Sequence, residues 1–329
     1  MKKFLDGAPN RVSDHIEEMI SDKDFTFANY DEAAAERVTW SDYSYWRSTF
    51  RVFFKNRTAV LLLILLAALL LFTFIQPHLP GQRPATLINN DPETGMTLFN
   101  VQPNEEFWFG TNSIGQDLWS MVWSGTRTSL IIGFTVALSE VVIGITVGVL
   151  WGYVRSLDHI MTALYNVLDN IPQTILLILI SYILRPSMST IILAMCLTSW
   201  LKMARSIRNQ IVIIRDRDYN LASRCLGTPT YRIILRNLLP YLVSVMMLRI
   251  ATTIPEAIGN EVFLTYIGLG LPVSIPSLGN LINTGRGMLM YQSLRYQLIF
   301  PAIVLSVVTV SFYIIGNAFA DAADPKNHM

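Results

Sequence analysis

Seventeen consecutive residues, AVLLLILLAALLLFTFI over 59–75, carry no charge and a single hydroxyl. At about 1.5 Å of rise per residue, and extended by its flanks, a helix of this length reaches across a hydrocarbon core of roughly 30 Å. The chain around it must therefore be read as one that lives in a membrane.

Further apolar stretches lie at residues 129–153, 160–184, 189 to roughly 204, 241–266 and 296–319. Six spans leave both termini on one side. The composition agrees, with 52% hydrophobic and only 15% charged residues, against roughly 25% charged in an ordinary soluble domain. A formal charge of +1 gives no basic excess to attract nucleic acid. Cys196 and Cys225 fall in an apolar run and a basic segment, a spacing that suits neither a disulfide framework nor a metal cluster. The opening residues turn polar and acidic after two lysines, so 1–45 are expected to be a hydrophilic tail and not a signal peptide.

Lysine and arginine placement sets the expected orientation, because cationic loops resist translocation. Residues 1–58 hold nine basic residues and 201–240 hold eight. The opposite face would hold only Arg83, Arg185, Arg286 and Arg295. Both ends and the 201–240 loop are therefore expected in the cytoplasm.

Several spans carry groups that lipid would not tolerate. Gly144, Gly148 and Gly152 recur every fourth residue, a ridge of small residues that lets another helix approach closely. Glu140 lies one step earlier on that ridge and is expected to serve packing by facing protein or water. The third span contains Asp169 and Pro172, and the fifth contains Arg249, Pro255, Glu256, Gly259 and Glu261. Disturbed backbone hydrogen bonds are tolerable only beside other helices or a wet cavity, so these two spans are the candidates for lining a path. Asp169, Glu256 and Glu261 are expected to point into it, or else to pair with Arg249 or cap disrupted turns.

Between the fourth and fifth spans lies YNLASRCLGTPTYRIILRNLLPY, residues 219–241. Tyr219, Ala222 and Leu226 keep helical spacing, and Gly227 follows where a left-handed cap would end a helix. Thr228 is expected to cap a second helix, with Pro229 in its first turn and Tyr231, Ile234, Leu235 and Leu238 on its apolar face. The pattern fits a firm docking surface for a partner, or equally an amphipathic segment lying on headgroups through Arg224, Arg232 and Arg236.

This segment resembles the EAA loop of permease subunits in binding-protein-dependent ABC importers. Leu221-Ala222-Ser223, Gly227 and Asn237-Leu238-Leu239-Pro240 stand at the motif's alanine, glycine and Leu-Pro spacings. Other stretches are similar to the C-type subunit of oligopeptide and dipeptide importers. Residues 109–117, FGTNSIGQD, resemble its FGTDxxGRD, with Asn112 and Gln116 replacing an aspartate and an arginine. GTRTSL at 125–130 resembles GARxSL, and Asp169 with Pro172 resembles DxxP. Residues 261–270, EVFLTYIGLG, and 316–325, GNAFADAADP, resemble EAxLSFLGLG and GDGLRDALDP.

The resemblance implies an all-α membrane protein with six transmembrane helices of the type I ABC importer permease fold and a cytoplasmic EAA coupling helix. It divides the chain into a cytoplasmic tail at 1–45, a first transmembrane region at 46–76 and an extracellular segment at 77–126. A permease core follows at 127–325, with the EAA loop at 219–240, and then a short tail at 326–329. Implied partners are a homologous second permease, two cytoplasmic ABC ATPases that bind ATP and Mg, and an external substrate-binding protein, all at a bacterial cell membrane. Ala222, Ser223, Gly227, Thr228, Pro229 and Arg232 would carry coupling to an ATPase.

The residues agree that energy comes from elsewhere, since no Gly-Lys dipeptide for a phosphate-cradling loop occurs, nor a Gly-x-Ser-x-Gly elbow or a His-Glu-x-x-His pair. No cofactor and no catalysis are expected in this chain. Oligopeptide is the expected solute, with dipeptide, nickel or another small solute as alternatives. An ion-coupled secondary transporter could use the same intramembrane carboxylates, but would need an inverted repeat that is not visible.

Overall fold

The computed structural model describes residues 45–324. The tail expected at 1–45 lies almost wholly outside them, as does the one at 326–329. Among the described residues there is no β-strand, only three isolated bridges in the segment before the second long helix.

An eleven-residue helix, α1 (Tyr45–Lys55), leads through Asn56 into α2 (Arg57–Ile75). The Asn56 side chain caps α2 by accepting from the Ala59 N–H at 3.1 Å. α2 buries only Ala59, Leu66 and Thr73, one residue every seventh. That narrow seam packs on the last helix, α11 (Tyr296–Ala323), and the rest of α2 is left facing outward.

The centre of the molecule is α3 (Leu118–Tyr153) packed along α6 (Met188–Ile214). The small-residue ridge makes this contact. A Cβ on Gly148 would stand 2.7 Å from the Ala204 carbonyl oxygen, and one on Gly144 would stand 2.6 Å from the Met203 Cβ. Met203, Ile207 and Ile211 fill the space those absent side chains leave, together with Ile233, Leu238 and Leu242. α3 starts eleven residues before the expected boundary at 129, because Asp117 caps it at Trp119 and Ser120. α6 runs ten residues past 204, since Lys202, Arg205 and Arg208 interrupt hydropathy but not helix geometry.

The expected third span is bent. α4 (Arg155–Asp169) and α5 (Gln173–Leu184) meet at 77° across Asn170-Ile171-Pro172. Pro172 has no N–H for a continuing ladder and disfavours helical geometry at Ile171. Among the described residues five helices are thus long and apolar enough to cross a membrane, and the bent pair makes six when counted as one span.

After α6 come a short α7 (Asp218–Cys225), a single turn α8 (Thr230–Ile233), a wider π turn at Ile234–Leu238 and α9 (Leu239–Tyr266). Pro240 explains the widening: it cannot donate to residue 236, and the Leu239 N–H reaches back to Ile234 instead. The stretch after α9 folds as α10 (Leu278–Gly287), capped by Ser277, before α11 closes the chain.

The two ends of the helix bundle can be told apart by their contacts. Phe53 of α1 meets Phe319 near the end of α11 at 5.5 Å, and Ser244 near the start of α9 donates to the Ala320 carbonyl at 2.8 Å. α1, the end of α11 and the start of α9 after the α7–α8 loop therefore share one face. On the other face, Tyr296 donates to the carbonyls of Val101 and Thr111 at 2.9 and 2.8 Å, and Phe109 stacks on Phe300 at 4.0 Å. These contacts hold the segment between α2 and α3 against the start of α11.

Candidate functional site

Two regions concentrate the polar chemistry. The first is the loop at the shared end. α7 closes with a Schellman turn, in which the Thr228 N–H bonds the Ser223 carbonyl at 3.0 Å and the Gly227 N–H bonds that of Arg224 at 2.9 Å. Gly227 has φ +73 with open space around it, so the turn depends on its backbone freedom and not on a tight fit.

Thr228 does not cap the second helix as expected. Pro229 occupies the cap position with extended backbone, and the helix begins at Thr230 with no side-chain cap. The expected apolar face is displaced too. Ile233 and Leu238 are buried, whereas Tyr231 and Leu235 are exposed. The π turn inserts one residue per turn, which rotates everything before it and which a 3.6-residue period cannot foresee.

The inner side of this loop is fastened by residues that sequence reasoning did not single out. Asn220 is fully buried, donates to the Ile214 carbonyl at 2.8 Å and accepts from Asn237 at 3.0 Å. Asn237 also donates to Ser223 at 3.3 Å, joining the two halves of the loop. Asp216 is ringed by Arg155 at 3.1 Å, Arg215 at 3.3 Å and Arg224 at 3.6 Å. Burial pushes its carboxyl up, but Arg215 and Arg155 outweigh that and hold it below the usual value. The outer side is apolar and bare: Leu221, Ala222, Leu226 and Pro229 are exposed, with Leu226 85% accessible. Ser223 and Thr228 are half-buried, and Arg232 points outward beside them.

The second region is a polar notch between α3, α5, α6 and α9. Glu140, Lys202, Thr253, Glu256, Gln173 and Asn260 line it. Glu140 accepts from Thr253 at 2.7 Å and faces Arg249 at 3.9 Å, while Lys202 meets Glu256 at 3.7 Å. Of the three predicted path residues, only Glu256 lies here. Asp169 is exposed at the joint between α4 and α5, beside the Tyr165 hydroxyl.

Glu261 is elsewhere and wholly enclosed. Its carboxylate accepts from Ser277 at 2.8 Å, from Thr265 at 3.2 Å and from Ser129 at 3.2 Å. Ser129 in turn accepts from the Leu278 N–H at 3.1 Å. Glu261 thus ties α3, α9 and the start of α10 together. Arg249 pairs with none of the three.

The C-terminal part of the chain, residues 144–328, matches the family model described as binding-protein-dependent transport system inner membrane component. The chain belongs to that family of inner membrane components. Residues 44–95 of this family member match a second model, the N-terminal TM domain of oligopeptide transport permease C. Similar curated proteins include the oligopeptide transport system permease protein AmiD of Streptococcus pneumoniae, 37% identical and covering 94% of this chain and 99% of that one. The dipeptide transport system permease protein DppC of Bacillus subtilis is 32% identical, over 93% and 94% of the two chains. Among solved structures, a chain of the MetNI methionine ABC transporter in an inward facing conformation matches with a TM-score of 0.50 at 20% identity. It covers 63% of this chain and 97% of that chain, a likeness of fold. The inner membrane component is thus a permease subunit with the helical architecture of an ABC importer.

Proposed function

We propose that this chain forms half of the translocation pathway of an ATP-driven importer for oligopeptides. It would work with a homologous second permease, two cytoplasmic ABC ATPases carrying ATP and Mg, and an external substrate-binding protein, with both its termini in the cytoplasm of a bacterial cell. The observation that carries this reading is the loop at residues 219–240: fastened firmly inside by Asn220 and Asn237, and presenting bare apolar side chains outside. A surface with that build transmits a push from a partner. Ala222, Ser223, Gly227, Thr228, Pro229 and Arg232 form the contact with an ATPase, and closure of the ATPase pair moves α6 and α9 through it.

The solute follows from the relatives, whose names specify oligopeptide or dipeptide transport. A polar notch that mixes Lys202 with Glu140 and Glu256 suits a zwitterionic solute passing along the wall, and the paired charges keep it from holding any one sign tightly. The test is reconstitution of the two permeases and two ATPases in vesicles, with the binding protein added, using labelled penta- and dipeptides. ATP-dependent accumulation of the pentapeptide, requiring the binding protein, is expected. Accumulation by this chain alone, driven by an ion gradient, would overturn the reading.

A further inference from the structure

α1 contributes no residue to the polar notch or to the loop at 219–240, and its surface is sorted into three stripes. Thr49 and Phe53 are buried, and Phe53 packs on Phe319 at 5.5 Å. Next to them, Trp46, Phe50 and Phe54 form an exposed ladder at four-residue spacing, with ring centroids 6.5 and 6.4 Å apart. Beyond the ladder, Arg47, Arg51 and Lys55 repeat the same spacing and are exposed. At 3.6 residues per turn each basic residue sits about 100° round the helix from the aromatic one before it.

One residue, Asn56, separates α1 from the membrane-spanning α2. Its extended backbone (φ −79, ψ 97) interrupts the helix, so α1 is a separate rod at the point where the chain enters the bilayer. A rod there that presents aromatic rings on one flank and cations on the next matches the boundary between acyl chains and phosphates. A protein groove would need only the first flank.

We propose that α1 is an interfacial helix whose Arg47, Arg51 and Lys55 bind anionic phospholipid headgroups while Trp46, Phe50 and Phe54 sit among the upper acyl carbons. It would anchor the start of α2 and, through Phe53 and Phe319, the end of α11 to the membrane surface. Neutral lipid would still receive the rings but leave the cations without counter-charge.

The test replaces Phe54 with the photoreactive analogue p-benzoylphenylalanine in the assembled complex. The complex is placed in nanodiscs of phosphatidylcholine with about 30 mol% phosphatidylglycerol, enough for a negative surface potential. Irradiation should add the mass of a phospholipid, with phosphatidylglycerol enriched above its share of the bilayer. Adding Arg47→Gln, Arg51→Gln and Lys55→Gln together should abolish that enrichment while the lipid adduct persists. Crosslinks to polypeptide, whether a partner subunit or this chain's own first residues, would overturn the proposal. So would unchanged enrichment in the triple variant, and Arg51→Gln alone provides the same comparison should the triple variant not assemble. Labelling needs no transport, so its outcome is independent of the ATP-dependent uptake that tests the function.

Discussion

At the scale of single residues, Gly227 and Glu261 show how differently two motif positions can work. A side chain at Gly227 would meet nothing within 4 Å, so what glycine in particular contributes there is the positive φ. A β-branched residue is strained there by on the order of 1–2 kcal/mol, too little to unfold a membrane bundle but enough to unmake the turn. Gly227→Val should therefore leave the subunit inserted and assembled while peptide uptake per ATP hydrolysed falls severalfold, measured side by side in vesicles. Normal uptake would remove the loop from coupling. Glu261 is the reverse case, defined entirely by its contacts. Glu261→Ala leaves the Ser277, Thr265 and Ser129 hydroxyls without their acceptor, at about 1–3 kcal/mol for each buried group left unsatisfied. The expected result is a lower thermal midpoint for the solubilised subunit, with Glu261→Gln recovering part of it because an amide oxygen still accepts. An unchanged midpoint in the alanine variant would show that the site is not a structural tie.

At the scale of elements, helices whose driving force is local were legible in the sequence and those that depend on distant partners were not. The run at 59–75 announces α2 because all but Thr73 of its residues are apolar, and the glycine ridge announces the close contact of α3 because small residues have few other uses at that spacing. The start of α3 at Leu118 was hidden, since Trp119, Ser120 and Ser124 dilute hydropathy where the helix is held by the segment between α2 and α3. Glu261 read as a path residue because burial by α10 is invisible until the chain folds back on itself. Asp216 was missed for a similar reason: besides its neighbour Arg215, its arginines come from α4 and α7. Its lowered pKa makes a stability contribution that is present above the ordinary carboxylate value of 3.8 and is lost as pH falls through the folded one. Asp216→Asn should therefore lower the thermal midpoint near neutral pH and narrow the gap to wild type as the buffer is taken below about pH 4. The effect is modest, because Asp216 is 40% exposed. A gap that stays constant with pH would mean the charge is not what matters.

At the scale of the whole molecule, the bent pair α4 and α5 is an unfinished surface. α4 buries no residue within the chain; its Asp158 and Thr162 already have partners in Arg208 and Trp151, but Asn166 and Asp169 are exposed towards its end. α5 exposes Ile175, Leu179, Tyr182 and Ile183. Acyl chains would cover the second set well enough, but groups of the first kind are costly against hydrocarbon. A helix with both characters at membrane depth needs a neighbour that is partly protein and partly water, which a second permease across a wet path supplies. α2 offers the contrast: Leu61, Ile64, Leu65 and Leu71 are exposed with no polar group among them, a surface that lipid alone can satisfy. Leu179→Asn should accordingly disturb pairing with the second permease, whereas Leu65→Asn, equally polar and at a similarly exposed site, should not. Co-purification of the two permeases through a tag on one of them reads the difference. A several-fold loss of the partner for the α5 variant alone is expected, and equal recovery from both variants would show that α5 faces lipid as α2 does.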